Sequence, residues 1–273
     1  MERAPKRLIV TADDFGASLA VNEAVEQAHR NGILTAASLM VSGDAASDAV
    51  ARAKAMPSLG VGLHLVMVEG HPTLPPEQIP DLVDTTGNFR TDMVRTALAI
   101  ALKPAARRQL YAEIEAQFAA FAATGLPLDH VNAHKHFHLH PMIASAVITI
   151  GKRYGMTAVR APIERGTPGI EHWWATRLQR RLRRAGLSVP DQVVGLAWTG
   201  AFDTDRMLEA VQTLPPGLTE IYTHPATDDL WPGSAPGYRY RAELSALTDD
   251  NVKAALVRDG IDNGSFSQHA FAS

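Results

Sequence analysis

Short apolar runs alternate with stretches of helical periodicity along most of the chain. Residues 7–12 (RLIVTA) read as a buried strand that ends at Asp13. Val21, Ala24, Val25 and Ala28 then recur at helical spacing, with Asn31-Gly32 as the stop. Residues 34–41 (LTAASLMV) give a second strand, 45–56 a second helix closed by Pro57, and 61–66 (VGLHLV) a third strand. Leu110, Ile114, Phe118 and Phe121 form the apolar stripe of a longer helix over 105–124, stopped by Gly125. Further strands are expected at 128–133 (LDHVNA), 157–160 (TAVR), 193–197 (VVGLA) and 218–223 (LTEIYT), with helical stretches between them.

Repeated strand-then-helix order argues for a parallel sheet with helical crossovers. About seven such units in 273 residues suit a (β/α) barrel of parallel strands better than an open doubly wound sheet. No GxGxxG turn favours the latter. The expectation is one α/β domain over residues 1–273, with the Pro-rich, acidic segment 69–90 as a long loop.

Composition adds exclusions. The chain has no cysteine, so disulfides and thiolate ligands are ruled out and any metal must rest on His, Asp or Glu. Hydrophobic residues make up 46% and the net charge is −3, an ordinary globular balance that gives no reason to expect nucleic acid as a partner. The one basic cluster, 177–184 (RLQRRLRR), reads as a solvated helix face, with a patch touching anionic lipid as the alternative. Residues 1–10 carry charge with no signal-like apolar stretch behind them, and no apolar run approaches the ~18 residues of a membrane span. A cytoplasmic location follows as the expectation, with peripheral contact to the inner membrane and homodimer formation left open.

Candidate chemistry gathers at strand ends. Asp13-Asp14 closes the first strand, His64 lies late in the third, His134 closes the fourth and His224 the last. In a parallel barrel those ends converge on one rim, where active sites sit. Two adjacent acids alone would read as a turn or helix cap; beside rim histidines they can divide labour, one on a metal and one on a proton. The run 130–140 (HVNAHKHFHLH) holds five histidines, and as an extended strand it would place His134, His136, His138 and His140 on one face. That is too many for one ion, so His134 is taken as the ligand and His138 as a second contact, with His130, His136 and His140 unassigned. Two histidines and a carboxylate leave coordination positions open, as in catalytic sites. A metal so held can polarise a carbonyl oxygen and lower the pKa of a water toward ~7, which suits amide or ester hydrolysis. His224, in YTHP, stands where it could protonate a leaving group, against the plainer reading of a buried hydrogen-bonded histidine.

LIVTADDFG, VNEAVEQAHRNGILTAASLMV, VGLHL and DHVNAHKHFHLHP occur in order, and together they resemble the YdjC-like carbohydrate deacetylases. GLHLVMVEGHP, VNAHKHFHLHP and VRAPIE are most similar to the hopanoid-biosynthesis-associated branch. The resemblance covers most of the chain. It implies a distorted (β/α) barrel related to polysaccharide deacetylases, and metal-dependent removal of N-acetyl from an amino sugar. It also implies Asp14, His64 and His134 as metal ligands and Asp13 as base. Arg160, in VRAPIE, is expected beside His138 as a substrate contact. The branch points to an N-acetylglucosaminyl hopanoid lipid, with a chitooligosaccharide as the alternative substrate. Asn132 is a departure, since relatives often carry Asp there. The ion is expected to be one divalent metal, zinc or magnesium first, with manganese, cobalt or nickel also compatible. Two other readings compete. An amidohydrolase-type barrel would want HxH at the end of the first strand, where this chain has Asp-Asp; a non-catalytic sugar- or lipid-binding regulator would not need both acids and both histidines.

Overall fold

A computed structural model describes residues 5–164 and 169–270. Its elements follow as β1 (Lys6–Phe15), α1 (Leu19–Asn31), β2 (Ala36–Leu39), α2 (Ala46–Lys54), β3 (Gly60–Leu65), α3 (Met93–Leu102), α4 (Pro104–Ala123) and β4 (Val131–Ala133). Then come α5 (Pro141–Arg153), α6 (Ile170–Arg184), β5 (Gln192–Val194), α7 (Thr204–Gln212) and β6 (Gly217–Thr223). The chain ends in α8 (Tyr240–Thr248), α9 (Asp250–Arg258), β7 (Asp262–Asn263) and α10 (Phe266–Ala270). Every strand pairing is parallel, in the order β4-β3-β2-β1-β6-β5 with β7 on the start of β1.

The sheet curls into the expected distorted barrel, and an irregular segment closes it. Val131 N donates to Ala158 O and Arg160 N to Val131 O, while Val159 N donates to Ser188 O and Val193 N to Ile163 O. Residues 157–163 thus bond to β4 on one side and to the approach to β5 on the other. The strand expected at 157–160 is reduced to single bridges, Val131↔Val159 and Ala158↔Ser188. Pro162 and Pro190 flank these bridges and have no N–H to extend a ladder. The strand expected from 128 starts only at Val131, and β7 was not expected from its polar pair of residues.

Burial explains why β1 reads as a continuous apolar run: both of its faces are covered. Leu8, Val10 and Ala12 pack in the main core with α1 residues Val21, Val25 and Ala28. Ile9, on the other face, meets Ala36, Ala158, Leu218 and Phe266, drawn from β2, the closing segment, β6 and α10. Thr11 and Asp13 continue that inner face toward the strand's C-terminal end, and both are buried. The interior therefore changes from apolar at the base to charged just below the rim.

The long loop at 69–90 holds a 3₁₀ turn (Pro76–Gln78) and is tied to α4, where Glu113 accepts from Thr73 N and Leu74 N. The basic cluster lies on α6, with Leu178 and Leu182 buried and Arg177, Arg180 and Arg184 outward. Among the described residues no helix is long and apolar enough to cross a membrane.

Candidate metal centre

Backbone geometry separates the two acids. The register between β1 and β2 shifts between Ala12 and Phe15, and within that bulge Asp14 takes φ 61°. A left-handed non-glycine residue costs on the order of 1 kcal/mol, and bulges re-aim side chains beside active sites. Asp13 consequently stays on the inner face while Asp14 turns to the rim. There Asp14 Oδ1 lies 3.2 Å from His64 Nε2 and 3.3 Å from His134 Nδ1, and the two nitrogens are 3.3 Å apart. Ligands about 2.0–2.1 Å from a tetrahedral ion sit roughly 3.4 Å from one another, so this triangle has the size of one coordination face. Among the described residues the buried Asp14 Oδ1 has no hydrogen-bond donor, an orphaned acceptor where a cation would fit.

Electrostatics agree. Burial alone would raise the Asp14 carboxyl; His134 and then His64 outweigh it and hold it well below the usual range. Burial likewise opposes charge on His134, yet Asp14 and Glu69 outweigh it and raise the imidazole to about 9. A spot that holds a proton this firmly at neutral pH is one where a divalent ion displaces it on binding. Glu69 closes the outer side, 3.8 Å from His134 Nε2, and pairs with Lys135. These two neighbours bring Glu69 down to about 2 against its partial burial.

The histidine run is not an extended strand. His134–Leu139 forms a 3₁₀ turn, kinked where Lys135 and His136 take φ 51° and 53°. Only His134 of the run faces the triangle. His138 is 2% exposed, its Nε2 lies 2.8 Å from Arg160 O, and burial brings it down to about 4. His136 is held well below its ordinary value by burial and by Arg160. His130 lies deep in the barrel beside Asp129, and His140 caps α5 by accepting from Met142 N.

Beneath Asp14 sits a buried charge layer. Arg160 is fully enclosed; its guanidinium reaches Asp13 at 2.5 and 3.0 Å and Glu220 at 2.7 and 2.9 Å. It also stacks over the Tyr222 ring at 4.8 Å. Burial would raise the Asp13 carboxyl, but Arg160, helped by His64, drives it far below the usual range. Asp13 is thus a carboxylate at any working pH.

Above the triangle opens a cleft of about 870 Å³ lined by Asp13, Asp14, His64, Glu69, His134 and His224, with a wall of Tyr222, Tyr238 and Tyr240. His224 follows β6 directly; its backbone N–H donates to Glu243 Oε2 at 2.5 Å and its ring lies between Tyr222 and Tyr238. Among the described residues its Nδ1 has no hydrogen-bond partner. The cleft therefore gathers five of the seven residues singled out from sequence. His138 and Arg160, also expected to touch substrate, do not line it: both are buried beneath the floor, with His138 Nε2 2.8 Å from Arg160 O.

The match to known proteins covers the same residues. A family model described as YdjC-like protein matches residues 7–258, most of the chain. The chain belongs to the YdjC-like family. A carbohydrate deacetylase of Geobacillus stearothermophilus is 32% identical over 260 residues, covering 94% of this chain and 95% of that one. One from Brevibacillus brevis is 30% identical, covering 96% and 99%. A crystal structure from Enterococcus faecalis, described as a candidate cellobiose-phosphate cleavage protein, superposes with a TM-score of 0.81 at 25% identity. It covers 98% of this YdjC-like chain and is itself covered in full.

Sequence reasoning did not single out Glu69, Glu220, Glu243 or the tyrosine wall. Glu220 carried a usable signal, a charge on the buried side of LTEIYT, whose inner neighbour Tyr222 shares its face. Glu69 carried none, because only the loop's path brings it to His134.

Proposed function

We propose that this chain is a metal-dependent carbohydrate N-deacetylase. The observation that carries it is the Asp14–His64–His134 triangle with ionised Asp13 one residue away, on the floor of a tyrosine-walled cleft. The relatives named carbohydrate deacetylase support the same reading. A divalent ion held by Asp14, His64 and His134 would supply Lewis acidity toward a carbonyl oxygen and would acidify a water. Asp13 takes the proton of the attacking water as its oxygen adds to the acetyl carbon. His224 donates a proton to the departing nitrogen, the C–N bond breaks, and acetate and a free amino sugar leave. Arg160 holds the base and His138 braces Arg160; neither meets substrate.

The favoured substrate is an N-acetylglucosaminyl hopanoid lipid. At Gly169 and His172 the cleft meets a second cavity of about 680 Å³, lined by Trp173, Arg177, Arg180, Arg181 and Arg184. Trp173 is 55% and Ile170 74% exposed, so an aromatic, an aliphatic and several guanidinium groups face outward together. That pairing suits a lipid tail and an anionic bilayer surface, and it supports peripheral contact of a cytoplasmic enzyme with the inner membrane. Residues 166–168 of the neighbouring apolar segment lie outside the described residues. The tyrosine wall favours a second reading, a chitooligosaccharide of the diacetylchitobiose type, since aromatic faces stack on sugar rings.

Acetate release from N-acetylglucosamine, diacetylchitobiose and an N-acetylglucosaminyl hopanoid decides between them, with each metal added back after chelation. Efficiency should climb steeply toward the glycolipid; preference for diacetylchitobiose selects the second reading. No release from any acetamido sugar with any metal would leave a non-catalytic binding role.

A further inference from the structure

A buried chain of hydrogen bonds, unused in the chemistry above, runs through the barrel beneath the triangle. Asp129 Oδ2 lies 3.0 Å from His130 Nδ1, and His130 Nε2 lies 2.9 Å from Ser38 Oγ. Asn132 Nδ2 contacts Ser38 Oγ at 2.8 Å and Asp13 Oδ1 at 2.9 Å, and Asn132 Oδ1 lies 2.7 Å from His64 Nδ1. Ser38, His130 and Asn132 are wholly buried, and Asp129 nearly so.

With the histidine rings neutral, the donors fall in one order. Asp13, held by Arg160, is an acceptor, so the Asn132 atom facing it is the amide nitrogen. The amide oxygen then faces His64 Nδ1, which must carry the ring proton, leaving the Nε2 lone pair toward Asp14 and His134. The second amide hydrogen goes to Ser38 Oγ. Ser38 therefore sends its own proton to His130 Nε2, and His130 carries its proton on Nδ1, pointing at Asp129. Asp129 ends the chain, accepting also from the backbone N–H of Phe266 and Ser267.

Space has been cleared for these groups. A Cβ at Gly62 would fall 2.5 Å from the His130 ring, and one at Gly60 2.7 Å from the Asp129 carboxylate. Phe266 stacks on His130 with ring centroids 4.2 Å apart. Two glycines in the strand GVGLHL thus serve the chain of bonds rather than a turn.

We propose that Asp129, His130 and Ser38 form a positioning relay that, through Asn132, fixes His64 in its metal-ready tautomer and anchors the Asp13 carboxylate. Its effect on turnover rests on the deacetylase reading; the order of the bonds does not.

Protein labelled with ¹⁵N-histidine tests that order at pH 7. His130 should appear as the neutral Nδ1–H tautomer with and without zinc, and His64 should carry its proton on Nδ1 in the zinc-loaded protein. A His130 protonated on Nε2 would overturn the relay. Ser38→Ala, which cuts the link with little change in volume, should weaken metal affinity or kcat about 10- to 100-fold with KM held. Wild-type metal affinity and kcat in a folded Ser38→Ala protein would equally overturn it, and the tautomers of the unaltered protein stand even if that variant does not fold. Should the tautomers and the metal defect appear while no acetamido sugar is cleaved, the relay is supported and the deacetylase reading fails.

Discussion

Replacing Arg160 with Met removes the cation that bridges two buried carboxylates. Arg160→Met keeps much of the side chain's length but deletes the hydrogen bonds to Asp13 and Glu220 at 2.5–3.0 Å. Breaking a buried ion pair from one side costs about 3–5 kcal/mol, because the stranded charge has no solvent to turn to. With roughly 2.1 cal/mol/K per residue of unfolding entropy, that loss lowers Tm by about 5–9 °C in a chain of this length. Thermal unfolding of metal-free protein reads it without the masking effect of a bound ion. A double variant separates charge from packing. Arg160→Met/Glu220→Gln takes away one of the stranded carboxylates, so it should be more stable than the two single effects added together, by about 0.5–3 kcal/mol. The same loss acts on the base: without Arg160 the Asp13 carboxyl is protonated more readily, and the acid limb of kcat/KM moves to higher pH. If Arg160→Met unfolds within a degree of the parent, or the double variant is merely additive, the charge layer does not hold this floor together.

Three further outcomes follow from the same geometry. Asp14→Asn should lose metal affinity, whereas Asp13→Asn should keep the ion and lose about 10²–10⁴-fold in turnover; equilibrium dialysis and acetate release on both variants tell them apart, and identical behaviour would refute the division. His224→Ala should slow acetamides far more than activated acetyl esters, whose leaving groups need no proton; equal losses on the two would make His224 structural. Asp129 is held at about 2, against an ordinary 3.8, by His130 and Ser267 despite its burial. A depressed carboxyl adds stability that is present above about pH 4 and vanishes as pH falls through about 2, so Asp129→Asn should cost about 2 kcal/mol at pH 7. That gap should close in acid; in urea titrations, a gap independent of pH would show that Asp129 acts through something other than its charge.

The strand ends were legible because buried parallel strands must be apolar on both faces, so the first polar residue marks the rim. Asp13, Asp14, His64, His134 and His224 were found that way, and the barrel followed from the count of strand-and-helix units. The sequence could not show that 157–160 would close the barrel without forming a ladder, since missing N–H groups at two prolines act through partners far along the chain. Nor could it sort the histidines. HVNAHKHFHLH looks like one ligand face until the left-handed turn at Lys135 and His136 sends His134 to the rim and His138 under the floor. Arg160 and Asn132 were visible, but their partners were not. What they do depends on which carboxylates lie within 3 Å of them, and that proximity joins residues 60 to 147 positions apart. Local pattern determined the elements and the chemistry at their ends; only packing decided which buried charges face each other, because Coulomb and hydrogen-bond energies depend on distance in space and not on separation along the chain.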